Sequence, residues 1–255
     1  MTLILTHISS HGIIHATDSN LTAGGLPAGE ARKLFELPFL DAGLTVAGSY
    51  SVGGESMETW LNKFVQGQQQ ANCSSLEQFA ATLSQALEQQ MTQEEKADGS
   101  MIHIAGYVRD ADGSHPEFWF VRNIYRMDER TGEYGDFKDK FQVTEDLWNR
   151  DWQRCNLGAL FQQGGYQLYT NGCTPGRISY RILQDYMAAF FTQIWQNPAW
   201  SFRPPISLEE SRLIVDLYTR AVGVLFQVSN YSAPFIGGSP QTYAIAAPEL
   251  RGRQT

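Results

Sequence analysis

A chain of 255 residues with 42% hydrophobic content can bury one substantial core, so a single domain over 1–255 is expected. Its net charge of -8 argues against partners that need a broad basic face, namely nucleic acid and anionic lipid. Three widely spaced cysteines, Cys73, Cys155 and Cys173, suit reduced thiols in a cytoplasmic protein better than a disulfide framework or a metal knuckle.

Leu3, Ile4 and Leu5 open the chain, but Thr6 and His7 end that run before it could serve as a signal-peptide core. No later stretch approaches the roughly twenty apolar residues of a membrane span, so no membrane is expected. Thr2 to Ile8 and Gly12 to Thr17 are short, β-branched and apolar around Ser9-Ser10-His11-Gly12, which predicts a hairpin. A looser, Gly- and Ala-rich stretch covers Asn20 to Gly29. Strands are then predicted at Lys33 to Leu37 and Leu44 to Ala47.

Met57, Trp60, Leu61 and Phe64 share one face of a helix, and Leu76, Phe79, Ala80, Leu83 and Leu87 share one face of the next. A strand pair follows at Met101 to Arg109 and Glu117 to Arg122, joined by an Asp-Gly turn region. From Asn123 to Gln163 charged and aromatic residues mix without periodicity, which reads as an insertion or lid-like region. Ile178, Ile182, Tyr186, Phe190 and Ile194 mark another helix. Leu213, Ile214, Leu217 and Val224 mark the last, with Ser207 and Glu210 as a capping box. Gly237-Gly238 precedes a strand at Thr242 to Ala246.

Strands, two helices, strands, two helices and a strand fit an α+β fold, and the order is what a four-layer αββα sandwich needs. His7, His11 and His15 are four apart, but the Gly12 turn breaks the helical spacing that would make them metal ligands. Neither a metal nor a cofactor is expected. The Gly-rich stretch Ala47 to Glu55 lacks the Gly-Lys-Ser/Thr ending of a phosphate loop. Cys173 sits in the turn-rich Tyr169 to Gly176, where a structural loop is the simpler reading.

Thr2 opening a strand, Ala16-Thr17-Asp18-Ser19 ending the second, Lys33 opening a third and Ala47-Gly48 closing a fourth resemble the proteasome β-subunit family. Thr2 and Asp18 are sixteen residues apart, as in that family, and Gly237-Gly238 matches its paired glycine. The resemblance implies an N-terminal-nucleophile (Ntn) fold, a threonine-type peptidase or amidase, and a homo-oligomeric ring. An unfoldase partner is left open.

After removal of Met1, which the small Thr2 side chain favours, Thr2 would be the nucleophile and its own amine the base. Lys33 would stabilise the alkoxide, Asp18 would hold Lys33, and the Gly48 N–H would donate to the oxyanion. The Asp and Ser with which the family supports the terminal amine are replaced by Ala233 and Ile236. Three readings therefore stand: a hydrolase acting on peptides, an inactive proteasome-like scaffold, and a hydrolase of small amides.

Overall fold

The computed structural model describes residues 2–23, 26–111, 113–127, 134–145, 165–172, 181–230 and 235–251. β1 (Leu3–Ser9) and β2 (Gly12–Thr17) form the expected hairpin, and every residue of both strands is buried. The cause is visible in the period of two. Leu3, Leu5, Ile14 and Ala16 pack toward a helix, while Ile8 and Ile13 pack with Ala105, Tyr107 and Phe118 of a second sheet. Both strands are covered on both faces, and each buries polar residues among its apolar ones: Thr6, His7 and Ser9 in β1, His15 and Thr17 in β2.

The chain then makes a small hairpin, β3 (Asn20–Ala23) and β4 (Leu26–Glu30), where only a loose stretch was predicted. β5 (Leu34–Leu37) and β6 (Ala42–Gly48) follow, within two residues of expectation, and a short pair, β7 (Ser51–Val52) and β8 (Glu55–Ser56), leads into the helices. α1 (Met57–Gln70) and α2 (Leu76–Gln90) start at Ser56 and Ser75, whose hydroxyls accept the Thr59 and Gln78 N–H groups at 3.2 and 3.1 Å. α3 (Gln93–Ala97) is a single capped turn that the periodicity did not reveal.

β9 (Ser100–Asp110) and β10 (Gly113–Met127) pair over their length, and β11 (Tyr134–Glu145) adds to the free edge of β10. Within the stretch 123–163, where the sequence shows no periodicity, residues 123–127 and 134–145 are strand. Asn123 is fully buried, accepting the Ser100 N–H at 2.7 Å and donating to the Lys96 carbonyl at 2.7 Å. Residues 146–163, with Trp148, Trp152 and Cys155, lie outside the described residues.

β12 (Tyr166–Gly172) pairs with β1, and its second half falls in the Tyr169 to Gly176 stretch expected to be a loop; Cys173 lies outside the described residues. α4 (Arg181–Gln196) and α5 (Leu208–Gln227) occupy the predicted helical stretches, and β13 (Gln241–Ala246) closes the chain's sheet structure. At α5 the Ser207 hydroxyl accepts the Glu210 N–H at 3.1 Å, but Glu210 reaches back to the Ile206 N–H at 3.0 Å rather than to its cap residue.

The strands form two antiparallel sheets, in the orders β12-β1-β2-β13 and β11-β10-β9-β6-β5. The sheets touch through β1, β2, β6 and β9; α5 packs on β1, β2 and β13, and α2 packs on β9, β10 and β11. The architecture is therefore mixed α and β with antiparallel sheets. Among the described residues, no helix is long and apolar enough to cross a membrane.

Candidate active site

Asp18 leaves the end of β2 and is 1% exposed. One of its carboxylate oxygens accepts the Leu3 N–H at 2.9 Å, and Lys33 Nζ lies 3.2 Å from both oxygens. The same ammonium donates to the Asn20 carbonyl. The carboxylate thus joins the peptide that follows Thr2 to the only cation in its hydrogen-bond shell among the described residues. Thr2 itself is buried, immediately ahead of β1.

Lys33 reaches this place because its backbone is held at both ends. Its N–H donates to Gln241 Oε1 at 2.9 Å, its carbonyl accepts the Val46 N–H at 3.0 Å, and Gln241 Nε2 donates to the Ala31 carbonyl at 2.7 Å. Gln241, at the start of β13, is a positioning residue that sequence reading missed. The Ser19 and Asn20 N–H groups both donate to the Gly237 carbonyl, at 3.1 and 3.3 Å, which fastens the glycine pair to the turn after Asp18.

Burial sets the proton affinities. Desolvation pushes the Asp18 carboxyl above the usual carboxylate range, against the opposing pull of Lys33 and the Leu3 N–H. Desolvation likewise draws the Lys33 ammonium below its ordinary value, against the charge and hydrogen bonds of Asp18. The pair is one coupled unit whose members restrain each other from neutralising.

Gly48 ends β6 at φ +101°, and a Cβ there would overlap the Gly99 carbonyl oxygen. The missing side chain thus has a packing cause of its own. Its neighbour Ala47 packs with Ile4 of β1, so Gly48 ends a strand that lies against the strand Thr2 begins. A cleft of about 220 Å³ borders Asp18 and lies between α5, at Thr219 and Gly223, and the glycine pair.

Ile236 is fully buried in the apolar cluster of Val222, Phe226 and Phe235, so it offers this region no polar group. Ala233 lies outside the described residues. The four expected site residues therefore divide. Asp18 and Lys33 are in direct contact, Thr2 is joined to them through the Leu3 N–H, and Gly48 is adjacent through β6. No family model matches the chain, and no curated protein matches it.

A second buried polar group was not foreseen. Thr6 Oγ1 lies 3.0 Å from His103 Nδ1 and 3.4 Å from His15 Nδ1; His15 Nε2 donates to the Ala105 carbonyl at 3.0 Å, and His103 Nε2 lies 2.6 Å from the Asn171 side chain. The chain of contacts crosses from one sheet to the other. His7, by contrast, stacks on Tyr166 at 4.9 Å, so the three histidines spaced four apart do not converge. The signal available in sequence was a single His or Thr within an apolar strand, which points to no particular partner.

Proposed function

We propose that the chain is a threonine-type Ntn hydrolase acting on a peptide or amide, with Thr2 as nucleophile once Met1 is removed. The observation that carries this reading is the Asp18 carboxylate bonded at once to the Leu3 N–H and to Lys33 Nζ. It fixes the backbone next to Thr2 and a buried cation to one anchor. The helix, sheet, sheet and helix contacts support reading the architecture as a four-layer αββα sandwich. A homo-oligomeric ring in the cytoplasm belongs to the same reading, by resemblance.

In this mechanism Thr2 Oγ bonds to the substrate carbonyl carbon while its proton passes to the Thr2 α-amine. The amine then gives that proton to the departing nitrogen as the C–N bond breaks, leaving an ester on Thr2. Water attacks the ester, returns a proton to Thr2 Oγ, and releases the acyl group as the acid. Lys33 stabilises the alkoxide as it forms, and the Gly48 N–H serves the oxyanion.

One observation favours a second reading, an inactive scaffold subunit: Ile236 stands in an apolar cluster where the resemblance calls for a hydroxyl. Thr2→Ala, assayed on a peptide panel and a small-amide panel, separates the possibilities. The proposal expects turnover of peptides that Thr2→Ala reduces to the buffer rate. Turnover of small amides alone would shift the substrate class. No turnover by the parent protein would favour the scaffold, and a rate unchanged by Thr2→Ala would refute the nucleophile.

A further inference from the structure

The segment from Gly48 to Gly54 has little rigidity of its own. Three glycines in it sit at positive φ, Gly48 at +101°, Gly53 at +60° and Gly54 at +81°, and a glycine leaves such a conformation readily unless something holds it. β7 and β8, at two residues each, add only a minimal ladder. Yet Gly48 carries the N–H that the proposed chemistry needs. In an antiparallel ladder, successive N–H groups on one strand point to opposite neighbours. The Val46 N–H donates to the Lys33 carbonyl at 3.0 Å and the Ser49 N–H to the Gly99 carbonyl at 2.8 Å, so the Gly48 N–H lies on the Lys33 side of β6.

One short stretch of chain, α3 and Gly99, holds both ends of this segment. At the far end the Gly53 N–H donates to Glu95 Oε2 at 2.9 Å and the Gly54 N–H to Glu95 Oε1 at 3.0 Å. Successive backbone N–H groups make an anion cradle, and here the anion is a carboxylate of the same chain. Burial alone would raise the Glu95 carboxyl, but the Gly54 and Thr92 N–H groups, the Ser51 hydroxyl and the Gly53 N–H outweigh it and hold the group at about 2. At the near end the Gly99 carbonyl, which accepts from Ser49, occupies the space that a Cβ on Gly48 would take.

Glu95 and Gly99 belong to one braced frame. Thr92 Oγ1 accepts the Glu95 N–H at 3.2 Å, and Glu95 Oε2 accepts the Thr92 N–H at 2.8 Å, which closes the capping box of α3. Lys96 Nζ donates to the Glu88 carbonyl at 2.7 Å and so ties α3 to the end of α2. The Gly99 N–H donates to the Lys96 carbonyl at 3.1 Å, and the buried Asn123 of β10 spans Lys96 and Ser100. The glycine segment hangs from this frame at two points.

We propose that Glu95 is a positioning residue that keeps the Gly48 N–H aimed at the oxyanion, acting through the Gly53-Gly54 turn. The inference rests on the hydrolase reading and requires no contact between Glu95 and substrate. Loss of the carboxylate slows acyl transfer and leaves ground-state binding nearly untouched, because a misaligned donor is felt as charge develops on the carbonyl oxygen.

The test is labelling of the full chain by a β-lactone. Thr2 Oγ bonds to the lactone carbonyl carbon, the ring C–O bond breaks, and the ring oxygen leaves as a hydroxyl with the proton lost from Oγ. Saturation kinetics separate the maximal labelling rate from the half-saturating concentration. Glu95→Gln, which replaces one acceptor oxygen by an NH2, is expected to cut the maximal rate about 10- to 100-fold and to change the half-saturating concentration less than about twofold. Glu95→Asp, which keeps the charge at shorter reach, should fall between the two and carries the comparison should Glu95→Gln fail to fold. Thr92→Ala removes the cap hydroxyl but leaves the carboxylate on both glycines, so it should lower the urea midpoint without slowing labelling. The infrared carbonyl stretch of the Thr2 ester should move to higher wavenumber in Glu95→Gln, as the hydrogen bond from Gly48 weakens.

Equal labelling rates in the parent and a folded Glu95→Gln would overturn the positioning role and leave the hydrolase reading intact. Rates that fall in Glu95→Gln and Thr92→Ala alike, in step with their urea midpoints, would assign Glu95 to stability alone. A parent chain that gains no Thr2 adduct would overturn the hydrolase reading and this inference with it.

Discussion

Lys33 is among the large side chains that are almost completely buried among the described residues, with Phe35 and Phe79. A lysine tolerates that position only because its ammonium faces both Asp18 oxygens and the Asn20 carbonyl. Lys33→Met is therefore expected to cost about 3–5 kcal/mol in urea unfolding, by stranding the Asp18 carboxylate. Adding Asp18→Asn should recover part of the loss; a double variant less stable than Lys33→Met would contradict the pairing. Sequence reading found these two residues through the resemblance to the proteasome β-subunit family. It did not find Gln241, because an amide that holds a backbone 208 residues away leaves no local pattern.

The histidines give the residue scale a pH dependence. Burial, the largest cause for each, holds His7 and His15 at about 4 and His103 at about 3, so all three stay neutral in the fold. In the unfolded chain they take up protons below about pH 6.5. The unfolded state thus binds more protons between those values, and stability must fall as pH drops from about 6.5 toward 4. Each shift from 6.5 to 4 is worth roughly 3 kcal/mol. Urea midpoints measured across that range should decline steadily, and His103→Gln should flatten the slope. A midpoint insensitive to pH there would contradict neutral, buried rings.

Their protons also specify a direction. His15 Nε2 must donate to the Ala105 carbonyl at 3.0 Å. A neutral His103 donates from Nε2 to Asn171 Oδ1 at 2.6 Å, so its Nδ1 accepts from the Thr6 hydroxyl at 3.0 Å.

Among the elements, legibility followed burial. β1 and β2 were plain because both faces are covered, and α1 and α2 because one face is; α5 was read from Leu213, Leu217 and Val224, which the fold leaves exposed while it buries Val215, Tyr218, Val222 and Phe226 instead. The β3 and β4 hairpin escaped notice since Leu26–Glu30 is wholly exposed and carries no alternation. The second half of β12 was read as part of a loop from Tyr169 to Gly176, a stretch that contains the turn signal Asn171-Gly172. Here Gly172 ends a strand at φ +118°, and a Cβ on it would overlap the Thr2 carbonyl oxygen. Gly172→Ala is expected to cost about 2–3 kcal/mol in urea unfolding, and it should also displace Thr2. The milder Ser207→Ala, which removes only the α5 cap, should cost about 1 kcal/mol. Equal costs would mean that the β12 end does not constrain the chain at Thr2.

For the whole molecule, the contacts of β1 with β2 and of β2 with β5 and β6 bring Thr2, Asp18 and Lys33 to the ends of β1, β2 and β5. The fold supplies this convergence whether or not Thr2 reacts, so chemistry at its hydroxyl has to be measured directly. Intact mass before and after a β-lactone probe does so. The proposed hydrolase should lack Met1 and gain a single adduct that maps to Thr2 and is absent from Thr2→Ala. A chain with a free Thr2 that gains no adduct, or one labelled equally after Thr2→Ala, would contradict it.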